Sequence, residues 1–319
     1  MERDIILTGS LAFDYVFDIP DPFSKYIQSD KIHKINISIV TDTHKKTFGG
    51  TAGNQAFYLA LLGTQPYIVG SAGNDFHDYL TFLKKEHIHA DYISRSNRLP
   101  TAAGFVMTDP VDNQIWMFAT GAMTEARKIT LTHRFLRRFS KKPFVMISPN
   151  DMLAMTALVE ACVNYEVEFA FDPAFFIPHF PETTLRKGIK HAAIIFGNDY
   201  EIAFIEKRLK KNITSLVSKN QMVVKTLGNK GSEIYHKGKW MRIGIKKVKT
   251  VDPTGAGDAY RAGFLFGYLN NRDLKTCGDM GATSASFAVE TKGTMNLKFN
   301  KKAFYQRLAA LSSFSVILQ

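Results

Sequence analysis

The chain has 319 residues, 45% of them hydrophobic and 22% charged, with a formal net charge of +12 at pH 7. That is ordinary globular composition, long enough for two domains or for one large α/β domain. The surplus of 41 Lys+Arg over 29 Asp+Glu is spread over separated pairs such as Lys45-Lys46, Lys141-Lys142 and Lys246-Lys247, never interleaved with aromatics on one element. This argues against nucleic acid as the main partner and for a solvated basic surface. Cys162 and Cys277 are the only cysteines, and neither forms a CxxC pair. Zinc and redox motifs are therefore absent, and both read as buried thiols. No run of about 18 apolar residues suggests a membrane span. The charged start Met1-Glu2-Arg3-Asp4 does not read as a signal peptide, so a cytoplasmic location is expected.

Short apolar strand candidates follow in order: Ile5–Leu7, Tyr67–Val69, Phe144–Ile147, Glu168–Phe171, Ala193–Phe196 and Met222–Val224. Between them lie helical stripes. Phe76, Tyr79, Leu80 and Leu83 fall at i, i+3, i+4 and i+7, as do Met155, Leu158, Val159 and Cys162. The alternation predicts a mostly parallel central sheet with helices on both faces. Residues 14–48, with the β-rich segment Ile35–Val40, depart from this pattern. So do residues 101–119, with Gly104–Met107 and Ile115–Phe118 around the turn Asp109–Asn113. Both read as strands outside the main sheet, forming either a small β-lid or edge hairpins.

The stretch Val251-Asp252-Pro253-Thr254-Gly255-Ala256-Gly257-Asp258-Ala259-Tyr260 carries the chemistry. It is a glycine-rich turn between the strand-like Lys246–Val251 and a helical Tyr260–Leu269. Glycines let backbone approach a ligand, and unpaired N–H groups at a helix start suit a phosphate. Asp258 at that helix start is placed to take a proton from an attacking hydroxyl. An Asp cap on a glycine turn would look the same, and the residues alone leave both readings open. There is no GxxxxGK[ST], no HRD loop and no complete GxGxxG, so P-loop proteins and protein kinases are excluded.

Asp252-Pro253-Thr254-Gly255-Ala256-Gly257-Asp258 resembles the C-terminal signature of the PfkB/ribokinase family of carbohydrate and nucleoside kinases. Gly49-Gly50-Thr51-Ala52-Gly53-Asn54-Gln55-Ala56 resembles the family's N-terminal glycine motif. Asn198-Asp199-Tyr200-Glu201 is similar to its NxxE, and Thr226-Leu227-Gly228-Asn229-Lys230-Gly231 to its nucleotide loop. The four stand in the family's order. Gly9–Asp14, Pro22-Phe23-Ser24, Ile32-His33-Lys34, Gly121–Arg127 and Arg261 look like the bacterial adenosine-kinase branch.

The resemblance implies a single ribokinase-like kinase domain over 1–319, with lid segments at about 14–48 and 101–119. It implies ATP and Mg²⁺ as cofactors, and a homodimer through the lid as an option. It implies Asp258 as catalytic base and Gly255, Ala256 and Gly257 as an anion hole. It places Asn198 and Glu201 near the phosphates, with Glu201 organising Mg²⁺ through water. Thr226, Gly228, Gly231, Ala282 and Ala285 would line the nucleotide, and Asp252 and Thr254 a K⁺ site. On the acceptor side it implies Asp14 and Asn54 on the sugar hydroxyls, Gly49 and Gly50 approaching them, and Ser10, Ser38 and Phe118 lining a nucleoside pocket. Each has a plainer reading: a solvated helix start for Glu201, a β-turn for 226–231, close packing for the alanines, lid packing for Phe118. The sequence departs from the branch at Gly104, where an aromatic is expected. It departs again at Phe175, Phe176 and His179, where polar residues and an arginine are expected. These changes bear on base recognition. Adenosine is the first choice of acceptor and a free sugar the alternative. A nucleoside-sensing binding protein is the non-enzyme alternative.

Overall fold

The computed structural model describes residues 3–27, 33–34, 36–42, 44–111, 113–139 and 141–315. In chain order its elements, with short 3₁₀ turns between, are β1 (Ile5–Thr8), β2 (Ala12–Asp18), β3 (His44–Gly49), α1 (Thr51–Leu61), β4 (Tyr67–Ala72), α2 (His77–Lys85), β5 (His89–Arg95), β6 (Ala102–Thr108), β7 (Gln114–Ala119), α3 (His133–Leu136), β8 (Phe144–Ile147), α4 (Met152–Asn164), β9 (Phe169–Phe171), α5 (Glu182–His191), β10 (Ile194–Asn198), α6 (Asp199–Leu209), α7 (Ile213–Leu216), β11 (Met222–Thr226), β12 (Ser232–His236), β13 (Lys239–Ile243), α8 (Ala256–Leu269), α9 (Leu274–Ala288) and α10 (Lys301–Ser315).

The main sheet runs β13-β12-β11-β10-β9-β8-β1-β4-β5. It is parallel from β11 to β5 and closes with the antiparallel β12 and β13. Strands buried on both faces read as near-continuous apolar runs, as Ile5–Leu7, Phe144–Ile147 and Phe169–Phe171 do. Ile5, Leu7, Phe144, Met146, Ile194 and Phe196 point into one core with α1, α8 and α9. Ile6, Val145, Ile147, Ile195 and Val223 point into the other with α4, α5 and α6. All six sequence-predicted strands are present and parallel. The chain reverses its direction of travel across the sheet between β1 and β8. In such sheets that switch opens a crevice at the carboxyl ends of the strands.

A second sheet, β3-β2-β6-β7, is mixed: β2 pairs parallel with β6, and the other two pairs are antiparallel. It holds both segments 101–119 and part of 14–48. Of Ile35–Val40, residues 36–40 are irregular and pair with no strand among the described residues; Ile35 lies outside those residues, as does Ile32. Lys246–Val251 is likewise irregular, and the helix expected from Tyr260 begins at Ala256. Among the described residues no helix is long and apolar enough to cross a membrane.

The turn from β3 into α1 is held from below by α2. Tyr79 is fully buried, stacks on Phe48 at 4.6 Å between ring centroids, and donates its hydroxyl to the Gly49 carbonyl at 2.8 Å. Tyr79→Phe would remove that buried hydrogen bond and is expected to cost about 1–3 kcal/mol. Urea unfolding should show a lower midpoint at unchanged m-value, with the exposed Tyr305→Phe as an unaffected control.

Candidate active site

The site begins at α8. Gly255 caps it at φ 77°, a conformation costly for any residue with a Cβ. This turn sends the next residues straight into the helix, so Asp258 falls in the first turn, where the helix dipole favours a negative charge. Its carboxylate is held from α1: Asn54 Nδ2 donates to Oδ2 at 2.8 Å and Gln55 Nε2 to Oδ1 at 3.1 Å. A carboxylate only accepts, so this bond turns the Asn54 amide oxygen the other way. That oxygen is buried and has no hydrogen-bond partner among the described residues. Burial raises the Asp258 pKa, while the Asn54 bond, the Arg261 charge and the Gln55 bond pull it back.

Two cavities flank this helix start. The larger, about 690 Å³, is lined by Thr226, Gly228, Gly231, Ala256, Gly257, Ala282 and Ala285 among others. The smaller, about 370 Å³, is lined by Ser10, Asp14, Gly50, Asn54, Phe118, Gly255 and Asp258, with Trp116, Phe175 and Met123. Of the sequence-predicted residues, Ser38 stands apart: it is exposed and lines neither cavity. Gly49 lies directly beneath Asp14, whose Oδ2 would be 2.0 Å from a Cβ placed there.

Asp14 pairs across the second sheet with Gly104, which pairs with Phe118. A Cβ on Gly104 would lie 2.7 Å from the Trp116 indole and 2.8 Å from Asp14 Oδ1. The space that an aromatic at 104 would fill is therefore occupied by Trp116 from the next strand. Of the two phenylalanines after Asp172, Phe175 is 61% exposed and lines the smaller cavity. Phe176 packs inward against a buried group that includes Met123, and His179 is exposed. Burial, then the charges of Asp258 and Asp252, push the Asp14 carboxyl up to about 6.

Asn198 and Glu201 form a reciprocal capping box at the start of α6: Glu201 N donates to Asn198 Oδ1 and Asn198 N to Glu201 Oε2, both at 2.7 Å. Glu201 Oε1 is left for another ligand. No group of three or more His, Cys, Asp or Glu side chains is disposed to enclose a metal among the described residues. A cation beside Glu201 would complete its shell with water and phosphate oxygens, as Mg²⁺ does. Asp252 ties two turns together, Oδ1 accepting from Thr254 N and Oδ2 from Gly293 N, each at 2.9 Å.

Gln55, Trp116 and Arg261 are the residues sequence reasoning did not place. Gln55 stands next to Asn54 in the glycine motif, and that adjacency on a helix start was the available signal. Arg261 is buried and pairs through Nε with Asp172 Oδ2 at 2.6 Å. Burial works against its charge, but Asp172, Glu201 and Asp258 together more than offset this and raise its pKa.

Because the folded Asp14 holds its proton to a higher pH than its ordinary 3.8, folding binds protons between those values. Stability therefore falls as pH rises toward 6 and carries the full penalty above it. Asp14→Asn is expected to stabilise the fold at pH 7.5 by about 1–3 kcal/mol, with the gain vanishing near pH 4. Urea titrations at the two pH values check this; a gain independent of pH would contradict it.

The model of the pfkB family carbohydrate kinases matches residues 27–301. The chain is 31% identical to a nucleoside kinase of Methanocaldococcus jannaschii over 92% of each protein. The crystal structure of the nucleoside kinase from that organism superposes with a TM-score of 0.85 at 30% identity, covering 97% of this chain and 99% of that one. The structure of a Burkholderia thailandensis nucleoside kinase in complex with inosine gives 0.84 at 26% identity, covering 96% and 97%. With its ribokinase-like sheet and paired cavities, the chain belongs to the pfkB family and is an ATP-dependent nucleoside or carbohydrate kinase.

Proposed function

We propose that this kinase transfers the γ-phosphoryl group of ATP to the primary hydroxyl of a nucleoside, adenosine first among them, with Asp258 as general base. The observation that carries this reading is the position of Asp258 on the wall of the smaller cavity, next to the Ala256-Gly257 turn that lines the larger one, and held at both oxygens by amides from α1. Nucleoside lies in the smaller cavity under the second sheet, which serves as a lid, and ATP in the larger. Asp14 accepts the ribose 2′,3′-diol and the unpaired Asn54 oxygen takes a further hydroxyl. Asp258 accepts the proton of the primary hydroxyl as its oxygen attacks the γ-phosphorus and ADP leaves. The amides of Gly255 and Gly257 at the start of α8 would face the charge on the transferred group, while that of Ala256 donates to the Pro253 carbonyl at 3.2 Å. Glu201, with Asn198, would hold Mg²⁺ through water, and the ion when bound neutralises phosphate charge.

Trp116, Phe118 and Phe175 favour a nucleoside over a bare sugar, because three aromatic faces line the cavity beyond Asp14. Stacking on such faces is worth roughly 1–3 kcal/mol per base, and apolar slots discriminate weakly between bases. Turnover of adenosine, inosine, guanosine, cytidine, ribose and fructose under one condition tests the assignment. Nucleosides should have KM values about tenfold to a hundredfold below ribose. A free sugar with the higher kcat/KM would replace the nucleoside reading. Asp258→Asn should lose about 10²–10⁴ in kcat with ATP affinity retained; wild-type kcat in that variant would remove the base assignment.

Asp252 and Thr254 would contact a K⁺ ion beside the anion hole. Each Asp252 oxygen spends one lone pair on a backbone N–H and keeps another. Rates should be higher in potassium than in sodium at equal ionic strength, and equal rates would discard the ion.

A further inference from the structure

Gly257 belongs to the helix start that faces the transferred phosphoryl, yet its φ is not in the left-handed region. Backbone freedom is therefore not what glycine supplies there. Arg261 lies four residues on, one turn up the same face of α8, and helical side chains lean back toward the N-terminus. A Cβ on Gly257 would sit 2.8 Å from an Arg261 terminal nitrogen. The guanidinium thus fills the place of a side chain at 257.

Arg261 is 7% exposed and Asp172 2%, and Arg261 lines neither cavity. Its Nε is 2.6 Å from Asp172 Oδ2, and its guanidinium carbon lies 5.6 Å from the Phe196 ring centre. Asp172 follows β9, and its N–H bonds the Ile147 carbonyl at the end of β8 at 2.9 Å. A run of contacts therefore joins the carboxyl ends of the central strands β8 and β9 to the turn through Asp172 and Arg261. Stability does not account for such a pair, since desolvating both ions costs about what their attraction returns. Arginine suits a brace: it meets the carboxylate as an ion pair through Nε and presents a terminal nitrogen to a second surface.

We propose that Arg261 is a positioning residue for phosphoryl transfer: tied to Asp172, its guanidinium braces the Gly257 turn from behind and fixes where the first amides of α8 point. The proposal rests on the phosphoryl-transfer reading above.

The test replaces the pair together, as Arg261→Met with Asp172→Leu, so that neither is left buried without the other, and kcat is read across pH because the Arg261 charge also lowers the pKa values of Asp258 and Glu201. Thermal unfolding, ADP and acceptor affinities by calorimetry, and kcat are measured on whichever acceptor the wild type turns over best. If the wild type phosphorylates none, the proposed function fails and this inference is not what failed. The expected result is a melting temperature at or above wild type, little change in either affinity, and kcat lower by about tenfold to a hundredfold. That is below the ~10²–10³ of deleting an anion-hole donor outright. Arg261→Lys keeps the charge but cannot engage Asp172 and Gly257 together, so its kcat should fall as well. Wild-type kcat in either folded variant overturns the proposal. So does a kcat loss matched by equal loss of both affinities, or a double variant that cannot fold, which would make the pair part of the fold and not of the turn.

Discussion

Everything at this site depends on one carboxylate being held still at the start of a helix. Asp258 is fixed by two amide donors from a different helix, so α1 and α8 cannot move independently there. Gln55 is fully buried and also bonds Ser148, just beyond the end of β8. The same side chain therefore links Asp258 to the sheet at its switch point. Free carboxylates rotate and spend little time in any one orientation. Here both oxygens are engaged, and each keeps a lone pair directed elsewhere.

That arrangement is expensive, and the surroundings show how the cost is managed. Asp14, Asp172, Glu201, Asp252 and Asp258 converge on one region, and burial raises the pKa values of Asp14, Glu201 and Asp258. Arg261 lowers two of these, Glu201 and Asp258, while backbone N–H groups take the oxygens of Asp252. Concentrated negative charge at a site that must receive polyphosphate is a mismatch until cations accompany the ligand. The neutral amides of α8 and a cation arriving with the nucleotide resolve it without placing lysines against the acceptor.

How much of this was legible in the sequence follows from where the information resides. The central strands read plainly because burial on both faces demands unbroken apolar runs. β5 did not: its His-Ala-Asp-Tyr-Ile-Ser-Arg run lies at the sheet edge, and only Ala90 within it is buried. Ile35–Val40 has the alternation of a strand, but its residues 36–40 pair with no strand among the described residues, and alternation specifies a face only when a neighbouring strand supplies it. Asp258, Gly255 and Gly257 were legible because the glycine turn and the helix start adjoin in sequence. Arg261 and Trp116 were not. What each does is set by an absent side chain elsewhere, at Gly257 and Gly104, and a missing Cβ leaves no mark on the residue that fills its space.

The two glycine–partner pairs also divide the work of the site in two. At Gly257 the filling group is a buried, charged and clamped side chain, which suits a geometry that must not vary with the acceptor. At Gly104 it is an indole 47% exposed on a cavity wall, attached to β7, whose outer edge has no strand beside it among the described residues. A strand paired on one side yields more readily than a helix packed between two others. On the proposed reading, tolerance for different ring systems would fall on the sheet that can adjust, while Asp258 and its amide partners keep fixed positions on α1 and α8. A kinase built in that way would relax its choice of base without loosening its hold on the reacting hydroxyl.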